Sequence, residues 1–209
     1  MPGCNKAIKV KQLTGSWKMS NVDAEVLSTT TTTYSYAGDD CDDSNASDND
    51  LTRATIAYDG ANVNFTLADE DDSETQTYDL TVNVIINDNG TYQVTGTYKS
   101  LIGGNVINRE GTFATDLNEW YFVDGEEKNS AVIFKNFPVV FEANFDGDFT
   151  YQDITLDVED VSGDQLVFTT NSSLSNQESL QTDESGDCVV TSNTTQTTNL
   201  DVTITLSAL

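Results

Sequence analysis

From Tyr78 to Ile86, apolar and polar residues take turns. Tyr78, Leu80, Val82, Val84 and Ile86 fall on one face of an extended chain, and Asp79, Thr81, Asn83 and Ile85 on the other. A period of two is the demand of a strand with one buried and one wet face, because successive side chains leave a strand on opposite sides. A helix would scatter the same apolar residues around its circumference. The chain then meets Asn87-Asp88-Asn89-Gly90, a turn sequence, and the alternation resumes at Tyr92, Val94, Gly96 and Tyr98. The spacing predicts an antiparallel hairpin.

The same grammar covers most of the sequence. A Thr run flanked by Val26-Leu27 and Tyr34-Ser35-Tyr36 suits a strand with one wet face. Residues 53–58 and 62–67 read as a hairpin around Asp59-Gly60. Strands are expected at 106–115, 119–123, 131–135, 139–145, 150–158 and 165–170, with a final strand placing Leu200, Val202, Ile204 and Leu206 on one face. Residues 171–186, rich in Ser, Asn, Gln and Glu, show no convincing periodicity. The expected class is all-β with little helix: an antiparallel meander of about 8–12 strands, forming an up-and-down barrel or an open sandwich. No composition break divides the 209 residues. We expect residues 1–12 to be a tether and 13–209 a single domain.

Charge narrows the partners. The chain carries 35 Asp and Glu against 9 Lys and Arg, a net charge of −26. Such a surface repels phosphate backbones, so no nucleic-acid partner is expected, and it attracts cations. No apolar run is long enough for a transmembrane helix or a signal region, so any export signal is expected to precede this sequence.

Three cysteines are present, Cys4, Cys41 and Cys188, and there is no His. Zinc and iron–sulfur sites lose their usual ligands. Cys41 and Cys188 lie in polar loop sequence and are expected to form a disulfide that closes a long loop. Carboxylates on both sides of Cys41 disfavour a reactive thiolate there. Gly3-Cys4 resembles the end of a bacterial lipobox, in which the cysteine becomes the lipid-bearing N-terminus; the resemblance implies lipidation of Cys4.

Near the start stands Leu13-Thr14-Gly15-Ser16-Trp17-Lys18. A barrel needs one end sealed. Trp17 on a first strand can cover that end, and Gly15 allows close backbone approach. Further motifs are Ile86-Asn87-Asp88-Asn89-Gly90-Thr91-Tyr92, Glu119-Trp120-Tyr121-Phe122 before Asp124-Gly125, and Asp164-Gln165-Leu166-Val167-Phe168. Together these resemble the lipocalin-like lipoproteins of Bacteroidetes-type bacteria. The resemblance implies a lipocalin-like barrel with Gly15 and Trp17 at its base. The chain is longer than a minimal eight-stranded barrel, so long hairpins and a wider barrel both remain open.

Four functional readings follow. Tyr78, Tyr92, Tyr98, Trp120, Phe122 and Phe141 are candidates for the lining of a cavity that takes a small hydrophobic ligand; packed core is the alternative. Asp39, Asp40, Asp42, Asp43, Asp48 and Asp50 could supply oxygen ligands to Ca²⁺, although the helix–loop–helix calcium spacing fails. Catalysis finds no support: there is no His base, no Gly-x-Ser-x-Gly and no distinct carboxylate dyad, so neither enzyme activity nor another cofactor is expected. A docking role through loop aromatics or an unpaired sheet edge is the fourth. The expected whole is a non-catalytic lipoprotein, held in the outer membrane by acylated Cys4 on the periplasmic or the extracellular face. Its expected partner is an outer-membrane β-barrel protein or another envelope complex, with ligand carriage as the alternative.

Overall fold

The computed structural model describes residues 8–37, 47–69, 71–101, 108–123, 131–140, 150–183 and 188–209. One short helix, α1 (Val10–Leu13), precedes eleven strands: β1 (Gly15–Ala37), β2 (Ser47–Tyr58), β3 (Asn62–Ala68), β4 (Ser73–Ile86), β5 (Thr91–Leu101), β6 (Asn108–Ala114), β7 (Asn118–Phe122), β8 (Ala131–Val139), β9 (Thr150–Val161), β10 (Gln165–Asp183) and β11 (Val189–Ala208). All pairings are antiparallel.

The sheet closes on itself at one end. Going round, β1 pairs with β11, then β10, β9, β8, β7, β5 and β4 follow, and β4 returns to β1 through Gly15↔Ile86 and Trp17↔Val84. That ring is a closed antiparallel up-and-down barrel. The β2–β3 hairpin wedges between β1 and β4 above the ring, β1 passing from β4 to β2 at Val22↔Tyr58. Closure removes the edges that an open sheet would expose.

Alternation fills the ring. Trp17 and Met19 point inward, a bulge lies between Met19 and Asn21, and Val22 takes the next inward place. Leu80, Val82, Val84 and Ile86 from β4, Tyr92 and Val94 from β5, and Leu166 and Phe168 from β10 join them in one buried cluster. Gly96 is the one β5 position where a side chain cannot fit: a Cβ there would stand 2.0 Å from the carbonyl oxygen of Thr81 and 2.4 Å from the Phe113 ring.

Some strand boundaries differ from the expected ones. Residues 131–135 and Val139 belong to one strand. β8 runs through to Val139 with a bulge between Phe134 and Phe137, where Asn136 takes φ 50°. The bulge uses one left-handed position, which Asn tolerates. Residues 171–183 are strand, the continuation of β10, and β11 starts at Val189 rather than near Leu200. The strand that carries Trp17 and the Thr run at 26–36 are one continuous strand, residues 15–37. At the start of the described residues, Ile8 and Leu13 are buried and Val10 packs on the core. Phe141 lies outside the described residues.

Candidate functional site

Three places carry the residues singled out in the sequence: the base of the barrel, its interior, and a long arm above it. At the base, α1 places Leu13 under Trp17. The Trp17 indole N–H donates to the Leu13 carbonyl oxygen at 2.9 Å, and the ring is only 5% exposed. Gly15 has φ 150°, and a Cβ on it would come within 3.4 Å of the Trp17 indole. The chain closes the ring here as well, with the Leu209 N–H donating to the Ser16 carbonyl.

The interior is occupied by its own side chains. Tyr92 meets Phe134 edge to face at a centroid distance of 5.0 Å, Trp120 stacks on Phe134 at 6.4 Å, and Phe168 closes on Phe134 at 6.1 Å. The polar atoms of these rings reach backbone acceptors. Tyr78 donates to the Val140 carbonyl, Tyr92 to that of Lys135 at 2.8 Å, and the Trp120 indole to that of Asn87. Aromatic residues with polar tips sit in cores in this manner. Tyr78, Tyr92, Trp120 and Phe122 belong to the buried cluster, and Tyr98 packs against it from a partly buried place. The space between Met19, Val84, Phe134, Phe168, Ile204 and Leu206 has a volume of about 10 Å³, the room of a single water at most. Burial raises the Tyr92 phenol above its ordinary pKa and pushes Tyr58 up to about 12, the latter opposed by a hydrogen bond with the Val82 backbone.

Above the ring, β2, β1, β11 and β10 continue as a four-stranded arm. β1 stays in register with β11 from Asn21↔Thr205 to Ala37↔Val189, and β10 follows β11 to Asp183↔Val189. Residues 28–33 of β1 and 191–198 of β11 are polar on both faces. On one face, Ser28 pairs with Thr198 at 3.3 Å, Thr32 with Thr194 at 3.2 Å, and Gln196 donates to Ser28. On the other, Thr29 stands opposite Thr197 and Thr31 opposite Thr195. β-branched hydroxyl pairs hold such a ladder together without a hydrophobic face.

Where the arm leaves the barrel, its outer face carries an open groove of about 430 Å³ lined by Glu25, Leu27, Asn171, Ser173, Asn199 and Asp201. Glu25 and Asp201 stand directly opposite across β1 and β11. Arg53 bridges to Glu25 at 2.8 Å, and that contact raises the guanidinium pKa further. A second surface cluster surrounds the β8 bulge. Lys135 pairs with Asp153, which also accepts the Asn136 N–H, and both contacts lower the Asp153 pKa.

The acidic positions divide. Asp39, Asp40, Asp42 and Asp43 lie outside the described residues. Asp48 and Asp50 are exposed on β2, opposite Thr32 and Thr30. Among the described residues, no three His, Cys, Asp or Glu side chains gather closely enough to hold a metal. Asp59 and Asp69 instead cap turns: Asp59 accepts from the Asn62 and Ala61 N–H groups, and Asp69 from those of Asp71 and Asp72. Cys4 and Cys41 are outside the described residues. Cys188 is buried and not without a partner. No helix among the described residues is long and apolar enough to cross a membrane.

The sequence showed the β1 part of the arm, as the Thr run at 26–36, but not the β10 part at 171–183, which has no apolar alternation. The Thr-rich runs 29–33 and 194–198 lie side by side.

The fold defines an all-β protein of the antiparallel up-and-down barrel class, built from a single sheet. No family model matches the sequence, and no curated protein matches it. Among solved structures it is similar to the secretin InvG of the Salmonella SPI-1 type III secretion injectisome, with 10% identity and a TM-score of 0.24 over 90% of this chain and 62% of that one. The open-gate state of InvG gives 10% identity and a TM-score of 0.22 over 93% and 60%. The chain thus spans less than two thirds of those chains, and likeness at this level carries no functional argument.

Proposed function

We propose that the protein is a non-catalytic lipoprotein of the outer membrane, tethered by lipid on Cys4, that serves as an accessory binding subunit of a cell-envelope complex. The observation that carries this reading is the four-stranded arm. It projects polar faces and strand borders beyond a barrel whose interior is full. A rigid ladder of backbone and hydroxyl groups held away from a membrane is a surface for proteins. The resemblance to lipocalin-like lipoproteins of Bacteroidetes-type bacteria supports the tether and the envelope setting. The filled interior gives no support to carriage of a small hydrophobic ligand.

A disulfide between Cys41 and Cys188 belongs to the same proposal. Ala37 pairs with Val189, so the β1–β2 connection that contains Cys41 starts beside Cys188. The bond would lock the far end of the arm, where the core offers least help.

The proposal is tested in the native host. Fatty-acid labelling and detergent partition should place the wild type, and not Cys4→Ala, in the membrane fraction. Photo-cross-linkers at Thr31 and Thr195 on the arm should capture the same defined envelope protein, and cross-linkers at Leu117, low on the barrel, should not. Loss of labelling in the wild type sinks the lipoprotein reading. Equal capture from Leu117 sinks the role of the arm.

A further inference from the structure

The arm ends in two strand borders of unlike character. Between Ser47 and Thr52, β2 pairs only with β1 among the described residues, and this stretch carries Asp48 and Asp50. Charges on an edge strand are a common guard against pairing with another chain. On the other side, β10 parts from β9 after Thr169, and from Thr170 to Asp183 it pairs only with β11 among the described residues. This border is unguarded. From Asn171 to Thr182, Glu178 is the one charged residue and there is neither Lys nor Pro, whereas 21% of the whole chain is charged. Ser172, Ser173, Ser175 and Gln177 are exposed there. A long border of this kind leaves a row of backbone N–H and C=O groups ready for an extended strand.

We infer that this β10 border is an interface with a second copy of the same chain, the two β10 strands lying antiparallel about a two-fold axis. Charge selects that occupant. Each copy carries a net −26, so most surfaces of one copy repel most surfaces of another. The stretch from Asn171 to Thr182 can lie against itself almost without charge. A two-fold axis places residue i against residue j and j against i, so Glu178 meets its own copy only if the axis passes through it. A foreign strand recruited by the acidity of this protein would be basic, and a basic strand finds its counter-charges at Asp48 and Asp50 on β2. The guarded β2 border also ends the assembly at two copies, because the joined sheet offers no second neutral edge on the arm. The inference goes beyond the accessory role and does not depend on it.

The long-range repulsion between two copies falls within a Debye length, about 8 Å at physiological ionic strength. Self-association should therefore tighten with salt, the reverse of a contact held by ion pairs.

The test is a light-scattering titration of the 209-residue chain in a Cys4→Ala background, which removes intermolecular disulfides through that residue. The expected result is a doubling of mass with concentration and a dissociation constant that falls severalfold as NaCl rises from about 0.05 to 0.5 M. Ser175→Lys should be monomeric where the parent is dimeric, with the parent's melting temperature at dilutions where both are monomeric, and Asn49→Lys on β2 should dimerise as the parent does. A single-chain mass at both salt levels overturns the inference. So does a dimer indifferent to Ser175→Lys, or growth past two copies.

Discussion

The indole N–H of Trp17 donates to the carbonyl oxygen of Leu13, four residues earlier, at 2.9 Å. The bond ties the short helix to the first strand and turns the segment 8–13 into the plug of the barrel. The Trp17 ring contributes apolar burial, and its one polar atom satisfies a carbonyl that would otherwise face the core.

Removing this plug should be costly. Trp17→Ala is expected to lower stability by about 3–5 kcal/mol. Trp17→Phe, which keeps a ring and loses the donor, should cost about 1–2 kcal/mol. Gly15→Ala should also destabilise, because φ 150° and the 3.4 Å approach to the indole both disfavour a Cβ. Denaturant unfolding with constant m-values checks all three.

The pairing of Glu25 with Asp201 sets like charges opposite one another in the outer groove, and Arg53 bridges to Glu25. Like charges in direct register destabilise a sheet. Asp201→Asn should raise the melting temperature by roughly 1–3 °C at low salt, with a smaller gain at high salt. A fall in melting temperature would show that Asp201 is held by an attraction and not tolerated against a repulsion.

The aromatic interior should resist both truncation and alkali. Phe134→Ala opens the centre of the ring cluster and should cost about 3–5 kcal/mol. If the cavity stays open, that variant should take up an apolar fluorescent probe that the wild type excludes. Tyr58 and Tyr92 are raised above the ordinary phenol value, Tyr58 to about 12. Their neutral forms therefore stabilise the fold fully below the unfolded tyrosine pKa, near 10. That contribution is lost as pH rises through the folded value. Unfolding and the rise of phenolate absorbance should coincide between about pH 10 and 12, and Tyr58→Phe should shift the midpoint upward.

The turn caps act at the other end of the scale. Hydrogen bonds from the Asn62 backbone, the Asn62 side chain and the Ala61 backbone lower the Asp59 pKa, and those from Asp71 and Asp72 lower that of Asp69. A depressed carboxylate stabilises the fold above its unfolded pKa, near 3.9, and the contribution disappears as pH falls through the folded value. Asp59→Ala should thus melt below the wild type at pH 5, and the gap should shrink below about pH 3. A gap that is constant with pH would mean that turn geometry, and not ionisation, carries the effect.

Period-two alternation at 78–86 and 92–98 was enough to define β4, β5 and the turn between them, and Asp59-Gly60 located the β2–β3 hairpin. These elements are amphipathic, so each residue declares which side it faces. The outer halves of β10 and β11 declare nothing. Ser172, Ser173, Thr194 and Thr195 are polar on either face, and they are strand because β10 and β11 hold each other in register from Gln165↔Ser207 to Asp183↔Val189. The β8 bulge was equally silent, since only the pairing of Phe134 and Phe137 with β9 on both sides of Asn136 joins the two stretches into one strand. Of the aromatic residues considered as cavity lining, Tyr78, Tyr92, Trp120 and Phe122 are in the buried cluster, Tyr98 packs against it, and Phe141 lies outside the described residues. Whether they line a space or fill it depends on how many rings meet there.

What the sequence determined by itself is the local repertoire: extended chain, tight turns, a Trp and a Gly at the base, and a surface that repels anions. These follow from side-chain size, branching and charge over a few residues. Ring closure, the inserted β2–β3 hairpin, the packing of the aromatic cluster and the long β10–β11 ladder were decided only by tertiary structure. Each depends on pairings between residues far apart in the chain, such as Trp17 with Ala208, and no local pattern encodes which distant strand completes a backbone ladder.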